Sequence, residues 1–413
     1  MMSKPTGSKD ESRLDLSKWA KLPNGLIAGG VFFALLGILV PSWHKTLAYS
    51  YLTAYMFFLS LVLGSLFLVL VHHLFDSYWL VPLRRFLEHI ACSVPVLVVL
   101  FIPIALFPGS IYPWMSSTEY SHSLEVKSFM YNRVSFYFMA VILFAVWWWL
   151  SNGLRNQSLE QDRSGAASCT VSMRRYAAIG IFIFAVTLTL AAFYWMKSLE
   201  HQWFSTMYGV YYFAGSVWVT LATTYVIALV LKETGHLAPI IQKSTFKDIG
   251  TLFFAFTVFY AYIHFSQYFL IWNAAIPEET FWYVKRESGV WWSVGMLIVF
   301  GHFFVPFLFL LRIDAKLCLP VMVPVCLWAW LMHYADMSFN VKPVYNAAGE
   351  GISFASIVLS LGSMALMAGA FARYFVWKLK GHPPFPQRDP RVAETVGVYV
   401  EPLSALSSQS GKD

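Results

Sequence analysis

The chain has 413 residues, of which 58% are hydrophobic, 18% aromatic and only 12% charged. This composition excludes an ordinary water-soluble domain and is typical of an all-α integral membrane protein with many spans. The formal net charge of +7 is explained below by membrane topology and contact with anionic lipids, and nothing in the sequence supports nucleic-acid binding.

About ten windows are long and apolar enough to cross a bilayer, since a helical crossing needs roughly 20 such residues. A polar cytoplasmic tail (1–22) precedes them, the membrane domain covers 23–378, and a second cytoplasmic tail covers 379–413. The spans, numbered 1 to 10, centre on 25–40, 52–74, 86–107, 134–150, 176–196, 204–231, 249–272, 290–311, 317–334 and 352–377.

A weak internal repeat relates two groups of four spans. Gly64 and Ser65 in span 2 correspond to Gly215 and Ser216 in span 6. Because a shift of four spans preserves orientation, this would be a parallel repeat. We therefore expect two four-helix bundles, spans 2–5 (46–197) and spans 6–9 (204–337), with spans 1 and 10 on the flanks.

The basic residues orient the spans. With the N-terminus in the cytoplasm, 22 of the 29 Lys and Arg residues fall on inner segments, and an excess of these residues marks the cytoplasmic side. Both termini are therefore expected in the cytoplasm. The seven on outer segments are Lys45, Lys127, Arg133, Lys197, Lys285, Arg286 and Lys342.

The four cysteines indicate no redox or metal chemistry. They form no C-x-x-C pair, so disulfides and zinc or iron–sulfur ligation are not expected, and no C-x-x-C-H occurs for covalent c-type haem. We expect this chain to bind no metal or cofactor of its own. The first span lacks a small-residue cleavage site and is expected to remain as an anchor.

Polar residues inside spans are costly in a bilayer unless they face protein or water. In span 7, His264 and Gln267 share one face of the predicted helix. Together with polar residues near both ends of the spans, these two side chains suggest a hydrated proton route built from two half-paths. The alternative is that all of these polar side chains only form hydrogen bonds between neighbouring helices. The candidates are His333, Asp336, His264, Gln267, His302, Lys197 and Glu200 in the outer part, and Glu88, His89, His72, His73 and Asp76 at the inner end.

Two further site hypotheses come from the same regions. His264 and His302 have similar depths on successive spans, so a single bis-histidine haem is an alternative to simple packing. After span 7 the chain breaks at Pro277 and emerges beside aromatic residues with charged side chains. Glu278, Glu279 and Arg286 are the candidates for docking an extrinsic subunit.

Two segments carry a family resemblance. SLEHQWFSTMYGVYYFAG (198–215), and the stretch with FSQY (265–268) and IPEET (276–280), resemble the NrfD/PsrC-like membrane subunits of bacterial alternative complex III. The loops and length look most like the second of its two such subunits (ActF). The resemblance covers spans 1–10, and His333-x-x-Asp336-Met337 resembles the family's outer-end motif on span 9.

The resemblance implies a bacterial inner-membrane complex that oxidises quinol, menaquinol or ubiquinol, and passes electrons to cytochrome c or another acceptor. Expected partners are a sister NrfD-like membrane subunit, a multihaem cytochrome c subunit, an iron–sulfur subunit and small membrane subunits, with a terminal oxidase as an optional partner. The c-type haems and iron–sulfur clusters would belong to these partners.

In the family, quinol oxidation is assigned to the sister subunit, which leaves this chain as a non-catalytic scaffold with a proton-conducting role. One departure is that residues 193–197 contain no carboxylate where the family has Asp-Trp, so Lys197 or Glu200 would replace that acid. The alternatives are a stand-alone proton-coupled secondary transporter and a subunit that itself binds quinone.

Overall fold

In the computed structural model, the described residues are 21–116, 122–233, 240–346, 352–395 and 398. Within these ranges the secondary structure is helical throughout, without strands, which confirms the all-α class. We number the long helices α1 to α10 so that each corresponds to the predicted span of the same number.

The long helices follow the predicted spans closely. Two are interrupted: α3 contains the segments Val81–Ala91 and Val94–Leu106, and α8 contains a π-helical turn, Ile298–Phe304, between Gly289–Leu297 and Val305–Leu310. Shorter helices include Pro277–Val284 after α7 and Val392–Thr395 near the C-terminus. The long helices are α1 Leu22–Leu39, α2 Pro41–Phe75, α3 Tyr78–Leu106, α4 Arg133–Ser164, α5 Ala167–Trp195, α6 Tyr208–Glu233, α7 Lys243–Ala274, α8 Gly289–Leu310, α9 Leu319–Val341 and α10 Phe354–Lys380.

Nine of these ten described helices are long and apolar enough to cross a membrane, by length and composition. The exception is α9, which contains two prolines and whose outer third carries His333, Asp336 and Asn340. These polar side chains lower its hydropathy but are themselves buried. The chain is therefore a multi-pass membrane protein, and we use "outer" and "inner" in the sense of the orientation predicted from the basic residues.

Local signals explain where several helices begin and end. Asn132 caps α4 by accepting a hydrogen bond from the Ser135 backbone N–H at 2.8 Å. Gly165 ends α4 with a φ of 70°, in the left-handed region that glycine adopts without steric cost. Ser353 caps α10 in the same way as Asn132, with the Ser356 N–H at 3.1 Å.

Helix α2 is the central element of the membrane domain. It packs against α3 and α5 of the first predicted bundle, against α6 and α9 of the second, and against α10. Its contact with α6 depends on Gly64, where an added Cβ would lie 2.5 Å from the Ser216 carbonyl oxygen and 2.2 Å from Thr220 Oγ1. Small residues allow such close backbone approach in membrane helices, so Gly64 brings together residues of α2 and α6.

Candidate functional site

A buried polar network joins α6 and α9 in the outer half of the protein. Asp336 is fully buried, and its Oδ1 accepts a hydrogen bond from the Tyr211 hydroxyl. Asn340, one turn further along α9, donates from Nδ2 to the Tyr211 oxygen at 2.9 Å. Its Oδ1 accepts from the Tyr208 hydroxyl at 3.0 Å. Asp336 was a predicted site residue, whereas Tyr211, Asn340 and Tyr208, which complete its network, were not.

The network continues to α7. The hydroxyl oxygens of Tyr211 and Tyr260 are 3.3 Å apart, and Tyr260 Oη is 3.5 Å from His264 Nδ1. Tyr260 and His264 are four residues apart, so they project from the same helix face. The predicted pair His264 and Asp336 therefore lie at the two ends of one chain of polar contacts through two tyrosines.

His302 and His333 lie beside this network. His302, in the π-helical turn of α8, is sandwiched between Trp218 and Tyr260, with ring centroids 3.7 Å from each and interplanar angles of 19°. His333 Nε2 is 2.9 Å from Ser60 Oγ on α2. Nitrogens of His302 and His333 and an oxygen of Asp336 all lie within 4.8 Å of one another.

A cavity of about 490 Å³ lies between α7 and α8 on the side of His264. Its wall is mainly aromatic and aliphatic, and several wall residues, including Phe265 and Trp292, are exposed on the protein surface that faces lipid. Its polar lining residues are Tyr260, His264, Tyr268, Tyr283, Arg286 and Glu287. A mostly apolar cavity with a few convergent polar groups is the usual form of a small-ligand site.

The geometry does not fit a haem held by His264 and His302. The ring of Tyr260 lies between the two histidines, 5.8 Å from the His264 ring and 3.7 Å from the His302 ring by centroid. His302 also does not line the cavity. A porphyrin coordinated by both histidines would have to displace Tyr260.

Gln267 lies at a junction between the two segments that carry the family resemblance. Its Oε1 accepts from the Ser205 hydroxyl at 2.9 Å, and its Nε2 donates to the Tyr283 oxygen at 3.1 Å. Close by, Trp203 Nε1 donates to the Glu279 carbonyl at 3.0 Å. The two segments are thus in direct contact, and Gln267 serves as a hydrogen-bonding link between them.

Glu200 and Arg286 form a buried ion pair at the outer end. Arg286 Nη2 is 2.8 Å from Glu200 Oε2, and Lys285 Nζ is 3.0 Å from Oε1. Burial alone would raise the pKa of Glu200, but Arg286 and Lys285 bring that pKa below its ordinary value. Arg286 is only 1% exposed. The expectation that its guanidinium docks a partner is therefore wrong for this chain, because Arg286 is bonded inside the protein.

Arg286 also fixes the chain around the end of α9. Its guanidinium donates to the carbonyls of Trp282, Phe339 and Asn340 at 2.9 to 3.1 Å. It stacks on the Trp282 ring with Cζ 3.6 Å from the centroid. It thus ties the Pro277–Val284 helix to the end of α9, next to the cavity.

Of the other docking candidates, Glu278 is exposed and Glu279 is partly exposed. Both lie in the first turn of the Pro277–Val284 helix. They remain candidates for contact with an extrinsic subunit.

Lys197 is buried at the outer end of α5, in the turn Lys197–Glu200. Its Nζ lies 5.2 Å from the centre of the Phe193 ring, and it forms no ion pair with a described residue. Burial, and secondarily Lys127, lower the pKa of Lys197 to about 8. Glu200 is paired with Arg286. Neither Lys197 nor Glu200 therefore provides a free carboxylate at this end of α5, as a replacement for the family's acid would require.

Four members of the predicted inner cluster, His72, Asp76, Glu88 and His89, are bonded to arginines. Glu88 Oε1 and Oε2 lie 3.2 and 3.1 Å from Arg84 Nε and Arg85 Nη1. His72 Nε2 is 3.3 Å from Arg84 Nη1. His73, on the neighbouring position, is also buried.

His89 and Asp76 complete this cluster on opposite sides. His89 Nδ1 accepts from Arg155 Nη1 at 2.9 Å, and Arg155 Nη2 is 3.3 Å from His382 Nδ1. Asp76 pairs with Arg174 and, at 2.7 Å, with Arg391. All five inner candidates thus lie in one region of ion pairs and histidines.

The C-terminal segment 381–395 covers this inner cluster, which the sequence analysis did not predict. Asp389 pairs with Arg84, and the Gln387 N–H donates to Asp162 at 2.9 Å. Burial would raise the pKa of Asp389, but Arg84 holds it below the ordinary value. The beginning of the predicted C-terminal tail is thus part of the folded domain.

The outer and inner clusters are separated along α2. Ser65 is its last polar residue on the outer side, and His72 is the next polar residue on the inner side. The intervening residues 66–71 are aliphatic or aromatic, a distance of roughly 10 Å at 1.5 Å per residue. The described side chains of α2 therefore provide no continuous polar path between the two clusters.

No protein-family model and no curated protein sequence matches this chain.

Proposed function

We propose that this chain is an integral membrane subunit of a quinol-oxidising electron-transfer complex, similar to the NrfD/PsrC-like subunits of alternative complex III. The chain would bind no redox centre of its own and would hold the membrane part of the complex together. The supporting observation is that segments 198–215 and 265–280 contact each other through Ser205–Gln267 and Trp203–Glu279 at the outer end. This concentrates the residues of the resemblance on the side where extrinsic redox subunits would bind.

The proposal includes an orientation and a layout. The complex would lie in the bacterial inner membrane with both termini of this chain in the cytoplasm. Residues 46–197 and 204–337 would form the two bundles, and Glu278 would face a cytochrome c or iron–sulfur subunit on the outer side.

Copurification tests this function against the alternative of a stand-alone transporter. The tagged full chain, isolated from native membranes in mild detergent, should retain partners that show c-type haem absorbance and iron–sulfur signals. Isolation as a single polypeptide that transports a solute in liposomes would support the transporter instead.

The cavity between α7 and α8 favours a second role, binding of the quinol itself. Its volume of about 490 Å³ and its aromatic wall suit a quinone ring. His264 at its wall could accept a hydroxyl proton, since a general base must lie within hydrogen-bond reach of the proton it takes up. Oxidation of one quinol releases two protons here and delivers two electrons to an iron–sulfur or haem centre of an adjoining subunit.

Steady-state kinetics of the whole complex test this second role. His264→Gln should raise the KM for quinol or lower kcat, while His44→Gln, at an exposed histidine on the outer end of α2, should change neither. An azidoquinone should label this chain beside His264. Labelling confined to another membrane subunit, with unchanged kinetics in His264→Gln, would place quinol oxidation elsewhere.

The proton-conducting role expected from the sequence stays a prediction. A route across the membrane would need water to bridge the apolar part of α2. Proton-to-electron ratios of reconstituted complexes test it: Glu88→Gln at the inner cluster should lower the ratio at unchanged quinol oxidation. An unchanged ratio would count against conduction through this chain.

A further inference from the structure

The strongest unassigned feature is the group formed by His302, His333 and Asp336. All three side chains have 0% relative exposure, and the ligand-capable atoms of the three residues lie within 4.8 Å of one another. His333 and Asp336 are three residues apart on α9, and His302 faces them from the π-helical turn of α8. π-Helical turns are frequent at functional sites.

Unpaired polar atoms are concentrated at this group. Among described residues, no hydrogen-bond partner is found for either nitrogen of His302, for His333 Nδ1 or for Asp336 Oδ2. Buried polar atoms are almost always bonded, because leaving one unpaired is costly. Four such atoms at one place indicate that something else binds there.

The surrounding hydrogen bonds leave the right atoms free. The Ser60 hydroxyl donates to the Phe57 carbonyl at 2.6 Å, so Ser60 Oγ accepts the Nε2–H of His333 at 2.9 Å. This assigns the proton of neutral His333 to Nε2 and leaves a lone pair on Nδ1. Asp336 Oδ1 is already bonded to Tyr211, which leaves Oδ2 for another ligand.

The third residue is also held in place. Trp218 and Tyr260 clamp the imidazole ring of His302 from both faces, which fixes its plane while its edge nitrogens remain free. Partners that orient metal ligands in this way are a regular part of metal sites.

We propose that His302, His333 and Asp336 bind one divalent first-row transition-metal ion, with Zn²⁺ as the representative ion. Two neutral imidazoles and one carboxylate are typical ligands of such ions, whereas Mg²⁺ and Ca²⁺ prefer oxygen atoms. Ligand bonds of about 2.0–2.1 Å in tetrahedral arrangement place donor atoms about 3.3 Å apart. Side-chain rotations must therefore bring the donor atoms closer by up to about 1.5 Å.

This site is independent of the proposed quinol complex, since it depends only on residues of this chain. No local spacing of residues indicates this site, because its ligands come from two helices and lie about 30 residues apart in the chain. The metal would connect α8 to α9 beside the cavity, and its fourth coordination position would be open to water or another ligand.

The test uses the purified full chain in detergent, stripped with EDTA and titrated with Zn²⁺ against a chromophoric chelator. We expect one Zn²⁺ per chain, and loss of this binding in His302→Gln and Asp336→Asn. His122→Gln, at an exposed histidine, is the matched control and should bind normally. Ser60→Ala, which removes the hydrogen bond that orients His333, should weaken binding by about 10–100-fold.

Two results would overturn the proposal. One is binding no greater than in the detergent blank. The other is equal binding by wild type, His302→Gln and Asp336→Asn, which would place the ion elsewhere, for example at His72 and His73. X-ray absorption at the zinc edge of the wild type gives an answer that needs no variant: two imidazoles and at least one oxygen support the site, and any spectrum without two imidazoles refutes it.

Discussion

Replacing Glu200 by glutamine should destabilise the outer end of the protein. The Glu200 side chain is only 8% exposed and accepts two charge-assisted hydrogen bonds, from Arg286 at 2.8 Å and Lys285 at 3.0 Å. Removing one partner of a buried ion pair costs about 3–5 kcal/mol, since it leaves an uncompensated charge. Arg286 keeps three backbone carbonyl acceptors and its stacking on Trp282. We therefore expect the lower end, about 3 kcal/mol.

The matched control is Lys285→Ala. Lys285 contacts the same carboxylate, but its side chain is 24% exposed and water can replace it. The expected cost is below about 1 kcal/mol, as for other solvent-accessible ion pairs. Thermal unfolding in detergent, followed by circular dichroism, compares the two variants with wild type. Equal midpoints for Glu200→Gln and Lys285→Ala would refute the reasoning that Arg286 is the energetically important partner.

Three further predictions concern the pH dependence of the Glu200 pair, the contact at Gly64 and the pairing of Asp389. Because the folded pKa of Glu200 lies below its ordinary value, its stabilising contribution is complete above pH of about 4.5 and is lost as the pH falls through the folded pKa, so wild type should lose more stability there than Glu200→Gln. Gly64→Ala should lower the unfolding midpoint, because the added Cβ would lie 2.5 Å from a backbone oxygen of α6. The cost of this overpacking, about 1–3 kcal/mol, exceeds the gain in helix propensity of about 1 kcal/mol. Gly29→Ala, with open space around residue 29, should not lower the midpoint. Asp389→Asn should detach the C-terminal segment from Arg84, seen as faster protease cleavage after residue 380 at an unchanged midpoint for the membrane helices.

The long helices could be predicted from the sequence because the bilayer demands long apolar runs, and such runs are local. Interruptions inside helices were less visible. The break in α3 falls at Cys92 and Ser93, just before Val94-Pro95, where proline disfavours helix at the preceding residue. The π-helical turn around His302 has no comparable sequence signal.

Polar site residues could be predicted one by one, but their partners could not. His264 and Asp336 stood out because ionisable side chains are rare in spans. Tyr211 and Asn340, which complete their network, are unremarkable in a chain so rich in aromatic residues. Contact between α6, α7 and α9 depends on helix crossing geometry, which a single sequence does not contain.

Charged residues in loops were the least predictable. Arg286 was expected to face water, since a charged residue beside a break at Pro277 usually does. The structure instead buries Arg286 between Glu200 and three backbone carbonyls. Such a set of acceptors is assembled mainly by tertiary contacts, and the same holds for the pair of Arg84 with Asp389.

The distribution of polar groups bears on how this chain would contribute to energy conservation. The outer network reaches the cavity through His264, while apolar side chains of α2 separate it from the inner cluster. A quinol oxidised in this cavity would release both protons on the outer side. Quinol that was reduced with protons from the cytoplasm thereby carries two protons outward per molecule, even if no proton crosses through this chain. Separation of the two polar clusters along α2 therefore suits a subunit that keeps the two sides insulated, and it makes the side of proton release the decisive measurement.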